Sequence, residues 1–152
     1  MVWAYTAWGI ARYRQGDPAA AIAGFTRAIG FDPNHAQAYH DRGVARLDQG
    51  NQPGAIADWT RAIELDANFT QAYPHRGVAR RDQGDLVGAI ADFSRVIELD
   101  RKNARAYHER GRAYARQGET DQAVADLHAV DLSDDPALCE DAERELERLE
   151  RE

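Results

Sequence analysis

Residues 36–69 read AQAYHDRGVARLDQGNQPGAIADWTRAIELDANF, and this stretch decides the fold. Its length of 34 residues is also its period. Gly9, Gly43, Gly77 and Gly111 are separated by that step, as are Gly16, Gly50, Gly84 and Gly118. Tyr5, Tyr39, Tyr73 and Tyr107 follow it, and so do Ala21, Ala55, Ala89 and Ala123. A bulky apolar column, Phe25, Trp59, Phe93 and Leu127, completes the set. Five columns in register define four units: 2–35, 36–69, 70–103 and 104–137.

Within the quoted stretch the spacing predicts two helices. Residues 36–49 carry good helix formers and no proline, and Gly50 supplies the left-handed residue that closes many helices. Asn51 is placed to cap a second helix over 53–65, with Pro53 in its opening turn. Asp17 and Asp85 hold the same capping place in other units. Ala55, Trp59, Ala62 and Ile63 form a stripe that marks one buried face. The small Gly43 and Ala55 predict a close approach of the paired helices, with Trp59 filling the space that opens toward the far end.

These columns resemble the tetratricopeptide repeat, a 34-residue helix–turn–helix family. The second unit shows Tyr39, Arg42, Gly43, Arg46, Ala55, Trp59 and Ala67 at the signature positions. Arg42, Arg76 and Arg110 depart from the usual Leu, and Arg12, Arg46 and Arg80 from the usual Tyr; Tyr114 keeps it. Only Pro33 of the closing prolines is present. Arg stems pack while their heads stay in water, so the fold is expected to survive these exchanges. The resemblance implies an all-α superhelix of antiparallel helix pairs and a non-catalytic module that binds a peptide or helical segment of a partner protein.

Composition sets the boundaries. Leu, Ile, Val and Phe make up only 27 of 152 residues, with a net charge of −7, a balance that borders on disorder. The 28 alanines and the aromatic columns in register compensate, because stacked repeats bury a core that no single segment could. No apolar run approaches a membrane span. No basic-then-apolar leader opens the chain, so a cytoplasmic location is the default. Cys139 stands alone, which excludes an internal disulfide and a cysteine-based zinc site, and it reads as a small apolar residue on the last helix. One lysine against 18 arginines suggests a GC-rich bacterial genome. Residues 1–133 are nearly neutral, and 134–152 hold nine acids against three bases. No basic footprint suits a nucleic acid.

No phosphate loop, dinucleotide fingerprint, zinc-protease helix or nucleophile elbow occurs. No enzyme activity and no cofactor are expected. His40 and His108 share a column two units apart, too far to converge on one metal ion, and His75 is one place off it. The acids read mainly as solvated ladders and caps, with Asp58–Arg61 and Asp92–Arg95 as weak surface pairs.

The resemblance implies that the first helix of each pair lines a concave groove. The ligand-facing stripe is then Trp3, Thr6, Ile10 and Tyr13 in the first unit, and Gln37, His40, Val44 and Leu47 in the second. It continues as Gln71, Pro74, Val78 and Arg81, then Arg105, His108, Arg112 and Ala115. The stripe runs from apolar to cationic, so a mixed apolar and acidic protein segment is the expected ligand. The competing expectation is that these arginines pair with Asp82, Glu109 or Asp48. The Lys and Asn residues that clamp a terminal carboxylate in some members are absent, which argues against binding chaperone tails.

Both ends differ from the middle. Register is lost at Asp131, and Asp135-Pro136 restarts a helix whose stripe is Leu138, Ala142, Leu146 and Leu149. Residues 136–152 are read as an acidic cap helix, as repeat arrays need. Its acids either solubilise the array or fold over the cationic end of the groove. Val2, Trp3, Tyr5 and Trp8 crowd the other end with no cap before them. That aromatic face implies a preceding repeat or contact with another molecule, a second copy included, with ordinary self-burial as the competing expectation. It supports an alternative reading of the chain as a self-assembling or array-extending module.

Overall fold

The computed structural model describes residues 1–130 and 135–151, and every regular element among them is an α-helix. In chain order they are α1 (Val2–Arg14), α2 (Pro18–Phe31), α3 (Ala36–Asp48), α4 (Gln52–Leu65), α5 (Ala72–Asp82), α6 (Leu86–Leu99), α7 (Ala104–Gln117), α8 (Thr120–Val130) and α9 (Pro136–Leu149). Contacts divide the chain into two compact units, Met1–Arg76 and Gly77–Glu152. In the first, α1 packs antiparallel on α2 and α3 on α4, and α2 joins the pairs by packing on α3. In the second, α7 packs on α8, α6 on α7, and α9 covers α8 and part of α7. The register break at Asp131 lies outside the described residues.

Periodic polar residues punctuate these helices. Gly16, Gly50, Gly84 and Gly118 adopt φ of 78°, 77°, 87° and 84°, the left-handed conformation in which a Cβ is strained. Asp17, Asn51 and Asp85 then cap the second helices, accepting from the amides of Ala20, Gly54 and Gly88 at 2.9–3.0 Å. Between pairs, Asp32, Asp66 and Asp100 accept from the amides of Asn34, Asn68 and Lys102, so an Asx turn forms with or without the proline that follows Asp32.

The cores are built from the columns. Ala21, Phe25 and Ala28, Ala55, Trp59 and Ala62, Ala89, Phe93 and Val96, and Ala123, Leu127 and Val130 are all buried. The signature glycine does more than let backbones approach. A Cβ on Gly43 would lie 2.7 Å from the Trp59 indole nitrogen, and one on Gly9 2.7 Å from Phe25. The ring lies on the glycine itself, instead of filling space farther along the pair.

The arginines differ from expectation, and the reason is a third layer of periodicity. Arg42 donates through Nε and Nη2 to both oxygens of Asp58, at 2.9 and 2.7 Å, and through Nη1 to Thr26 Oγ1 of the preceding pair, at 3.1 Å. Arg46 adds a bond to Asp58 at 2.9 Å. Arg110 repeats the arrangement with Asp126, at 2.7 and 2.8 Å, and Ser94, at 3.0 Å. Arg76 reaches Thr60 at 3.1 Å, and Arg80 reaches Asp92 at 3.0 Å. The guanidinium heads are therefore clasped, not left in water. Asp58 and Asp92 are each only 2% exposed, so they are not surface partners of Arg61 and Arg95, which pair with Glu64 and Glu98. In α1 and α2 the same columns hold Trp8 and Gly24.

Pro74 falls in the first turn of α5. Proline cannot donate to the carbonyl of residue 70, so α5 begins two residues later in the repeat than α3 and α7 do.

Candidate functional site

On α1 and α3 the sequence stripe resolves into buried, half-buried and exposed positions. Trp3 is 77% exposed. Thr6 is buried and returns its hydroxyl to the Val2 carbonyl at 3.0 Å, so it offers little to a ligand. Ile10 and Tyr13 are half-buried against the Ala21, Phe25 and Ala45 cluster. The Tyr13 hydroxyl donates to Asp48 of α3 at 2.5 Å, and that carboxylate pushes the phenol up to about 12. Gln37 donates to Asp41 at 2.8 Å. Val44 is half-buried and Leu47 exposed.

His40 is buried. Its ring meets His75 edge-on, with centroids 5.1 Å apart, and Phe69 at 5.5 Å. Burial, reinforced by the neighbouring His75, lowers its pKa to about 4, so the imidazole is neutral near pH 7. The offset of His75 from the His40 column is thus no barrier to contact. Gln71 precedes α5, and its carbonyl lies 2.9 Å from His75 Nδ1. Among the described residues no three metal-binding side chains converge.

In the second unit the cations have partners. Arg81, 8% exposed, pairs with Asp82 at 2.9 Å and with Glu109. Arg112 lies 4.0 Å from Glu109 and 3.8 Å from Glu145 of α9. His108 is buried, with Nε2 3.2 Å from Asp141 of α9. Burial lowers its pKa, outweighing the opposing pull of Asp141 and Glu145. Val78 is half-buried and Arg105 exposed. Arg81 meets Asp82 and Glu109, and α9 lays Asp141 and Glu145 along the His108 and Arg112 side of α7.

A family profile described as tetratricopeptide repeat matches residues 6–74, and a second, described as TPR repeat, matches 77–118. The chain belongs to the tetratricopeptide repeat family. Tetratricopeptide repeats are non-catalytic interaction modules, and this chain is one of them. A search of curated protein sequences finds no match. Among solved structures, the chain is similar to a MamA protein at 26% identity and a TM-score of 0.82, covering 86% of this chain and 71% of that one. It is also similar to the first TPR of Spaghetti (RPAP3) bound to the HSP90 peptide SRMEEVD, at 26% identity and a TM-score of 0.74, covering 77% and 93%. The Arabidopsis OM64 TPR domain is similar at 27% identity and 0.71, covering 76% and 95%. No described helix of this tetratricopeptide-repeat chain is long and apolar enough to cross a membrane.

The clasp is what the five sequence columns left out. Its signal was present: Asp58, Asp92 and Asp126, and Thr26, Thr60 and Ser94, recur at the same 34-residue step as the arginines they bind.

Proposed function

We propose that the chain binds a peptide or helical segment of a partner protein along the first helices of its pairs, with apolar contacts in the first unit. The observation that carries this reading is the set of half-exposed apolar side chains on α1 and α3. Ile10, Tyr13 and Val44 are half-buried and Leu47 exposed, so no other described element covers them fully. The peptide held by the similar RPAP3 repeat domain supports the general mode, since its sequence SRMEEVD also mixes apolar residues with acids. In the second unit, Arg81 and Arg112 are neutralised by Glu109 and Glu145. An acidic ligand group there has to displace those carboxylates, while Arg105 is exposed.

The test begins with peptides selected for binding to the whole chain. Val44→Asp and Leu47→Asp are each expected to abolish binding of a selected peptide while leaving the melting temperature nearly unchanged. Binding that survives both substitutions overturns the assignment.

A further inference from the structure

The seams between pairs share a chemical signature that the open end of the first pair lacks. Thr26 with Arg42, Thr60 with Arg76 and Ser94 with Arg110 each join one pair to the next through a hydroxyl and a guanidinium. At the corresponding place on α1 stands Trp8, 41% exposed, and where the later pairs bury an aspartate stands Gly24. The two exchanges depend on each other, since a Cβ on Gly24 would lie 2.7 Å from the Trp8 ring. Together they turn a polar seam into an apolar depression of about 510 Å³, lined by Ala4, Tyr5, Trp8, Ala23 and Arg27.

The rim of this depression carries one sign of charge. Arg12 sits over the Trp8 ring at 5.3 Å and Arg27 over Tyr5 at 5.7 Å. Neither α1 nor α2 contains an aspartate or glutamate. Two copies meeting through this face would oppose arginine to arginine. The exposed side of α9 is rich in acids but carries no apolar stripe, because Leu138, Leu146 and Leu149 are already packed on Leu127 and Val130. Among the described residues, neither a second copy of this face nor the exposed side of α9 therefore complements the depression. A further pair of the same kind would be met by the hydroxyl–guanidinium seam, which is missing here.

We propose that this face docks an amphipathic helix of a different protein, one with small or medium apolar residues along its stripe and carboxylates beside it. The covering geometry is the one α2 uses on α3 and α6 on α7. The apolar stripe would fill the depression over Trp8 and Tyr5, and the flanking carboxylates would meet Arg12 and Arg27. This surface is separate from the stripe discussed under the proposed function, so the two readings fail independently.

The test is a fluorescence-anisotropy titration of the whole chain with a labelled helical peptide of about 18 residues, long enough to hold a helix. Its stripe of Leu and Ala follows helical spacing and its flanks are Glu; a second peptide carries Lys in place of Glu. The acidic peptide is expected to bind about tenfold or more tightly than the basic one. Arg27→Glu, and separately the pair Trp8→Arg with Gly24→Asp, should each weaken it by at least about tenfold, while Val44→Asp leaves it unchanged. Should the paired substitution disturb folding, Arg27→Glu on an exposed side chain decides. Absent binding of the acidic peptide, equal binding of the two peptides, or indifference to Arg27→Glu overturns the proposal. So does a sedimentation result in which the chain alone associates through Trp8, since the occupant is then a second copy.

Discussion

Asp58 accepts three bonds from two arginines while almost fully buried. Removing it leaves the Arg42 guanidinium half-enclosed without its counter-charge. Asp58→Ala is expected to cost about 3 kcal/mol or more, read from urea unfolding, whereas Glu64→Ala on the surface costs about 1 kcal/mol or less. His40 gives a pH dependence whose sign follows from its depressed pKa. The unfolded imidazole takes a proton near 6.5, but the folded one only near 4. Its contribution to stability is therefore complete above 6.5 and is lost as pH falls toward and through 4. Asp41, held above the usual carboxylate range by burial, acts in the opposite direction at the acid end. Melting temperatures measured across this window should fall with acidification, and His40→Phe should flatten that fall.

At the scale of the element, the helix ends are set by residues that recur every 34 positions. Gly50→Ala forces a Cβ into φ of 77° and should cost about 1 kcal/mol. The Asn103 side chain accepts from the Ala106 amide at 3.0 Å, and Asn103→Ala should cost a similar amount, about 1 kcal/mol. Both are measurable by chemical denaturation. The late start of α5 is the exception, and its cause is the missing amide hydrogen of Pro74. Replacement by Ala would restore a donor to the residue-70 carbonyl and let the helix begin where α3 and α7 begin. Added protection from hydrogen exchange at residue 74 would report that change.

For the whole molecule, α9 closes the second unit by covering Leu127 and Val130 with Leu138, Ala142, Leu146 and Leu149. Removing residues 136–152 returns two fully buried side chains to water. That should lower stability by about 3 kcal/mol or more, seen as an earlier urea midpoint. The same helix brings Asp141 and Glu145 to His108 and Arg112, so its acids line the surface of α7. In the first unit the Trp8 and Gly24 exchange leaves an apolar face with cations at its rim.

The sequence by itself determined the repeat, its helix pairs and their ends, because a 34-residue period, left-handed glycines and side-chain caps act locally. Tyr13, Val44 and Leu47 could also be placed on the first helices by spacing alone. Only tertiary structure decided which charged residues are buried. Arg42 and Asp58 are 16 residues apart on different helices, and Thr26 lies on a third. Their contact depends on how closely Gly43 lets the Trp59 ring sit, which no single helix reports. The partners of Arg81 and Arg112 were likewise undecided until Glu109 of α7 and Glu145 of α9 met them. Period is a property of the chain, whereas desolvation is a property of the assembled pairs.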